Sequence, residues 1–168
     1  MSFRTHAAVL FRIRGWVLGA AGLFALTAAS PRLGMLLTGL AVVFLGCALR
    51  CWAFSHLGSQ GRTRDPTAPA QRVVTGPYRS VAHPVYLSNL LIAIGLLLSA
   101  SPPVVVATPL LVTVVLLYGI LARRENRQLR ELCEVIGGKR MGWAEVARSE
   151  RSTWLQLALF QVCVGLQL

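Results

Sequence analysis

Four uncharged apolar runs limit what this chain can fold into. They cover residues 15–30, 33–49, 85–100 and 104–122. The second run continues past Arg50 to Phe54, and an arginine near a helix end can carry its charge to the membrane surface. A helix needs about 20 predominantly apolar residues to cross a bilayer, and the flanks of each run can extend it to that length. The pattern predicts an all-α integral membrane protein with four transmembrane helices.

The composition agrees with a membrane protein and excludes an ordinary soluble globule or a disordered chain. Of the 168 residues, 55% are apolar and only 14% are charged, and the mean hydropathy is +0.61. A typical soluble domain carries about 25% charged residues. We therefore treat residues 1–168 as a single membrane domain.

The basic residues predict the orientation of the four spans. The turns at residues 30–32 and 99–103 are short, whereas 16 of the 17 Lys and Arg residues lie in or beside segments 1–12, 55–82 and 123–151. All six acidic residues are on that side too. By the positive-inside rule this side is cytoplasmic. The basic excess is thus explained by topology and by attraction to anionic lipids, and it does not call for a nucleic-acid partner.

The chain divides into three parts. Residues 1–54 form an N-terminal helical hairpin, residues 55–151 a core that contains the hairpin 85–122, and residues 152–168 a C-terminal apolar helix. The uncharged stretch 154–168 would reach about 22 Å as a helix. Because this is short for a hydrocarbon core of about 30 Å, we expect an interfacial or partly inserted helix, with a fifth span as the alternative.

Several kinds of chemistry find no support in the sequence. There is no G-x-G-x-x-G and no P-loop, and Asp65 is the only Asp, which argues against a Ser-His-Asp triad. The four Cys and three His have no metal-ligand spacing, so we expect no metal. No acid lies inside the four spans, which argues against a proton-coupled transporter.

The Arg excess over Lys, 16 to 1, indicates a GC-rich bacterial genome and hence the bacterial inner membrane.

Two polar segments flank the predicted hairpin. One is residues 73–87 and the other is residues 123–129. A five-residue turn makes the hairpin antiparallel, so His83, Tyr86 and Glu125 should be close together at its cytoplasmic end. Composition and spacing alone favour an ordinary interface segment, in which Pro84 begins a helix and the tyrosines belong to an aromatic belt.

The order of the residues in these two segments resembles that of a known protein family. Residues 76–87 read GPYRSVAHPVYL, and residues 125–129, after the hairpin, read ENRQL. Together they resemble the membrane methyltransferases that include isoprenylcysteine carboxyl methyltransferase and phospholipid methyltransferases. The usual strings in that family are G-P-Y-R-x-x-R-H-P-x-Y-x-G and E-E-x-x-L. This chain departs from them at Ala82, Ser88 and Asn126, which stand where the family has Arg, Gly and Glu.

The resemblance implies an enzyme that transfers a methyl group from S-adenosylmethionine to a lipophilic small molecule or lipid, leaving S-adenosylhomocysteine. It makes residues 55–151 the cofactor-binding core, and it assigns no catalytic base. The cofactor-binding residues it implies are Tyr78, Arg79, His83, Tyr86 and Glu125, with Asn126 and Gln128 as lesser candidates. The alternatives are a non-catalytic relative that acts as a scaffold or partner subunit and, less favoured, a small transporter. The sequence does not indicate an oligomeric state.

Overall fold

The computed structural model describes residues 18–57, 71–131, 134–135 and 141–168. Within these residues the chain is almost entirely helical. The helices are α1 (Leu18–Thr27), α2 (Leu33–Leu57), α3 (Pro84–Ala100), α4 (Val104–Glu131), α5 (Trp143–Ser149) and α6 (Arg151–Gly165). The all-helical prediction is confirmed for this part of the chain, apart from one short strand pairing described below.

Two of these helices, α2 and α4, are long and apolar enough to cross a membrane. Only 28% of the most apolar stretch of α2 and 17% of that of α4 is buried inside the protein. Such exposure would be costly for a soluble protein, and it is what a lipid-facing helix shows. The described part of α1 and the whole of α3 are apolar but shorter. The four-span arrangement therefore stays a prediction.

Helices α2 and α3 touch through glycines. A Cβ atom at Gly39 would lie 2.5 Å from the carbonyl oxygen of Gly95, and a Cβ at Gly95 would lie 2.7 Å from the backbone nitrogen of Val43. A Cβ at Gly46 would similarly meet Ile92 at 2.8 Å. Small residues at these crossing points let two helix backbones approach closely, which is a common way to pack membrane helices.

The two short turns lie at the same end of the bundle, as the alternation of short and long connections predicts. The backbone N–H of Ser30 donates to the carbonyl of Ala100 at 3.0 Å, and the Ser30 hydroxyl donates to the carbonyl of Ser101 at 2.7 Å. We call this the turn end. At the opposite end of α2, the backbone N–H of Met141 donates to the carbonyl of Ser55 at 2.9 Å.

The opposite end also carries the short strand pairing. Strand β1 (Gln71–Arg72) pairs in parallel with β2 (Glu134–Val135), with Gln71 opposite Glu134. A 3₁₀ helix over Gly76–Arg79 follows β1. Backbone pairing therefore joins the connection that precedes α3 to the connection that follows α4.

Helix α4 continues without a break from its apolar run into the polar segment 123–129. Its inner face carries Val114, Tyr118 and Leu121, which pack with Tyr86 and Leu90 of α3. The polar segment is therefore held on the same rigid helix as the predicted fourth span.

Arg50 lies inside α2, which continues to Leu57. The Arg50 guanidinium pairs with Glu150, with 2.6 Å between Nε and Oε2, and it also donates to Asn89. A long-range partner 100 positions away in sequence keeps the charge inside the bundle.

The glycine contacts give a test of the α2–α3 interface. Replacing Gly39 by Ala should lower the free energy of unfolding by about 1–3 kcal/mol, because the new methyl group overlaps the backbone of α3. Gly119 is the matched control, since a Cβ there meets no atom of the described residues within 4 Å. Gly119→Ala should be neutral or stabilising by up to about 1 kcal/mol through helix propensity. Thermal unfolding in detergent measures the stability of both variants. Equal changes in stability for Gly39→Ala and Gly119→Ala would contradict the close contact of α2 with α3.

Candidate functional site at the ends of α3 and α4

His83 joins the polar ends of α3 and α4. It immediately precedes Pro84, the first residue of α3. Its Nδ1 lies 3.3 Å from Oε2 of Glu125, and its Nε2 lies 3.0 Å from Oδ1 of Asn126. Glu125 and Asn126 belong to α4, so the hairpin brings together groups more than 40 positions apart in sequence, as predicted. Each ring nitrogen faces an oxygen acceptor, which favours the doubly protonated imidazolium.

The environment of His83 raises its pKa above the ordinary value of 6.5. The hydrogen bond to Glu125 is the largest cause, and the negative charge of Glu125 and the hydrogen bond to Asn126 act in the same direction. Partial burial works against them by disfavouring the charged form. The result is a His–Glu ion pair at the end of the hairpin.

Aromatic rings lie below this ion pair. The ring of Tyr86 stacks on that of His83, with 5.4 Å between centroids and 21° between planes. The ring of Tyr118, from α4, lies 5.5 Å from that of Tyr86. Tyr118 was not among the predicted site residues. An aromatic residue on the inner face of α4, two turns before Glu125, was the available signal.

Tyr78 holds an unused hydrogen-bonding group. Its hydroxyl oxygen is buried and has no hydrogen-bond partner among the described residues. Burial raises the pKa of Tyr78, and the nearby negative charge of Glu125 raises it further. A buried hydroxyl without a partner costs roughly 1–3 kcal/mol, which a bound polar group could recover. This cost makes Tyr78 a candidate contact for a ligand beside Glu125.

A second histidine supports the turn that carries Tyr78. His56, near the end of α2, is only 3% exposed, and its Nδ1 lies 3.2 Å from the Thr75 hydroxyl. Gly76 has a φ of +59°, and a Cβ there would lie 2.5 Å from the His56 ring. Sequence reasoning missed His56, because no local pattern links the end of the second span to the turn at residues 75–77.

The predicted site residues fall into three groups. His83 contacts Tyr86, Glu125 and Asn126. The negative charge of Glu125 also acts on Tyr78, whose pKa it raises. Arg79 is exposed on the 3₁₀ helix. The side chain of Gln128 lies outside the part of the chain whose side chains are described. Among the described residues, no group of three or more His, Cys, Asp or Glu could hold a metal ion.

The fold and the site define a helical membrane protein with a charged and aromatic cluster where its helices meet the polar phase. A family model described as phospholipid methyltransferase matches residues 35–133, which is more than half of the chain. The chain belongs to this family of membrane methyltransferases, which act on lipid-like substrates. No curated protein and no solved structure matches the chain.

The raised pKa of His83 predicts a pH-dependent stability. The ion pair should stabilise the folded protein fully below pH 6.5, the ordinary value, and this contribution should be lost as the pH rises through the raised pKa. His83→Gln removes the titrating group and leaves the other histidines in place. The stability difference between the parent and His83→Gln, measured by thermal unfolding across this pH range, should therefore shrink as the pH rises. A constant difference would contradict the ion pair.

The turn at Gly76 predicts a second stability effect. Gly76→Ala should destabilise the protein, because a positive φ costs an alanine about 1–2 kcal/mol and the methyl group also meets His56. Gly142→Ala is the control, since a Cβ at Gly142 meets no described atom within 4 Å. If the methyl group overlaps the His56 ring, the double variant Gly76→Ala with His56→Ala should lose less stability than the sum of the losses of the two single variants. Additive losses in thermal unfolding would show that the two positions act independently.

Proposed function

We propose that this protein transfers a methyl group from S-adenosylmethionine to a lipophilic small molecule or lipid, with S-adenosylhomocysteine as the product. The observation that carries the proposal is the cluster of His83, Tyr86 and Glu125 with the unpartnered Tyr78 hydroxyl beside it. The phospholipid methyltransferase family match, over residues 35–133, supports a methyl-transfer reaction.

The residues present fit this cofactor. S-adenosylmethionine supplies a sulfonium-bound methyl group, and it also carries an ammonium, a carboxylate and ribose hydroxyls. Glu125 is 45% exposed on its side chain, so its carboxylate can accept hydrogen bonds from an ammonium or a ribose hydroxyl. The buried Tyr78 hydroxyl can donate to an acceptor atom of the ligand, which would relieve its unpaired state.

The remaining predicted residues can complete the binding site. Arg79 is exposed next to Tyr78, and its guanidinium suits a carboxylate. The Tyr86 ring can face a cation by cation–π attraction. We propose all seven predicted residues, Gln128 included, as the cofactor-binding set, with Tyr118 as an added aromatic neighbour.

The chain's own role in the reaction is to position the two reactants. The α3 and α4 helices hold the binding groups on rigid elements, and correct placement of two reactants can supply much of the barrier reduction in a displacement reaction. The outward faces of α2 and α4 are apolar, which suits an acceptor that reaches the site from the bilayer. No residue is assigned as a catalytic base.

We propose the cytoplasmic face of a bacterial inner membrane as the location of the site. The support is the charge asymmetry of the sequence: 15 of the 17 basic residues belong to the segments expected on the side of the site, Arg32 belongs to a short turn, and Arg50 is paired inside the bundle. A cytosolic cofactor could then bind at the surface while a lipophilic acceptor approaches between the helices.

The proposed function predicts that Glu125→Gln weakens cofactor binding. The substitution keeps the shape of the side chain and removes its charge, so binding of S-adenosylhomocysteine should fall by about ten- to a hundredfold. Glu145→Gln makes the same chemical change on the exposed surface of α5 and should bind like the parent. Isothermal titration calorimetry in detergent measures the affinity of the purified parent and of both variants for S-adenosylhomocysteine.

Two outcomes would decide against the proposal. If Glu125→Gln and His83→Ala both bind S-adenosylhomocysteine like the parent, the site is misplaced. If the parent binds none in a millimolar titration, the non-catalytic scaffold replaces the enzyme. A separate variant, Asn126→Glu, restores the residue that is usual in the family. Comparing its affinity for S-adenosylhomocysteine with that of the parent tests whether Asn126 weakens binding.

A further inference from the structure

Polar contacts tie α6 to the other helices at three levels. Before its first turn, Glu150 pairs with Arg50 of α2. In its second half, the Gln161 amide donates to the Ser99 hydroxyl of α3 at 3.2 Å. Just beyond its last residue, the Gln167 amide donates to the Leu26 carbonyl of α1 at 3.3 Å. These three contacts fix where each part of α6 lies against the bundle.

The contacts show that α6 runs along α3 from the level of Asn89, about 8 Å beyond the first residue of α3, to the turn end. Arg50 binds both Glu150 and Asn89, so α6 begins at the level of Asn89 in α3. From Asn89 to Ser99 is about 15 Å along a helix, and from Glu150 to Gln161 is about 17 Å. The similar rises mean that α6 lies beside α3 and runs in the same direction. It therefore ends at the turn end, where Leu26 lies.

The outward face of α6 is apolar. Leu155, Leu159, Val162 and Leu166 are all more than half exposed, at a spacing that places them on one helix face. A helix that lies flat on a membrane needs a charged or polar face toward water, and residues 152–168 carry no charge. The inward face of α6 contacts protein, so its apolar outward face is left for lipid.

The Arg50–Glu150 pair lies where α6 begins. The side chains are 17% and 7% exposed, and a second guanidinium nitrogen lies 3.4 Å from the other Glu150 oxygen. The Phe54 ring lies 5.0 Å from the guanidinium carbon, and Asn89 accepts a hydrogen bond from the third guanidinium nitrogen. Removing one partner of a buried pair is costly, because the other charge is left without compensation.

We propose that α6 crosses the membrane as an additional helix beside α2 and α3, and that the Arg50–Glu150 pair anchors its first turn. The C-terminus then lies on the side of the turn end, across the membrane from the candidate site. This is the fifth span that stands as the alternative to the interfacial or partly inserted helix expected from the sequence. It does not depend on the methyltransferase proposal, since it concerns the position of α6 alone.

Cysteine labelling tests the crossing. With the native cysteines replaced, single cysteines are placed after Leu168, at Ser30 for the turn end and at Ser80 for the site end, where both serines are exposed. A membrane-impermeant maleimide applied to intact spheroplasts should label the C-terminal cysteine together with Ser30→Cys and not with Ser80→Cys. Labelling together with Ser80→Cys would overturn the crossing.

Hydrogen exchange of the α6 amides, followed by mass spectrometry, tests the anchor. Glu150→Gln should speed exchange in α6 by about tenfold or more, and Glu145→Gln should leave it unchanged. The charge-swapped double variant, Arg50→Glu with Glu150→Arg, should return exchange toward that of the parent. Should Glu150→Gln not fold, a swapped variant that folds supports the anchor. Unchanged exchange in Glu150→Gln, or a swap that rescues nothing, overturns it.

Discussion

At Gly39, Gly46 and Gly95, the backbones of α2 and α3 meet without a side chain between them. The rest of the described structure depends on this contact. Because the helices are so close, Arg50 of α2 reaches Asn89 of α3, and the two helices offer a common surface to α6. The contact also sets α2 and α3 in register, so that the end of α2 supports the turn that precedes α3.

This support links the packing of the bundle to the candidate site. His56, in the last turn of α2, contacts Thr75, and the His56 ring lies against Gly76. Tyr78 follows two residues after Gly76 in the same turn. From the other side, α4 brings Glu125 and Asn126 to His83. The site is thus built from two helix ends and a turn, each of which is placed by apolar packing deeper in the bundle.

Charge has two different roles in this molecule. At the site, His83 and Glu125 form a partly exposed pair, and such a pair keeps enough access to water and ligand to exchange partners. Between α2 and α6, Arg50 and Glu150 form a pair whose carboxylate is much more buried than that of Glu125, and each guanidinium nitrogen faces an oxygen acceptor. The first arrangement suits binding, and the second suits a fixed structural contact.

The sequence by itself determined the helical class, the bounds of α3 to within one residue, and the meeting of His83 with Glu125. These follow from the uncharged apolar runs, the proline that begins α3 and the short turn that forces an antiparallel hairpin. It also supplied the ordered residues of the family strings, which carry the methyltransferase assignment. Tertiary structure alone decided that Arg50 pairs with Glu150, that His56 supports Gly76 and that α6 lies along α3. Each of these contacts joins residues far apart in the chain, and local patterns of hydropathy and turn chemistry carry no information about which distant surfaces will meet.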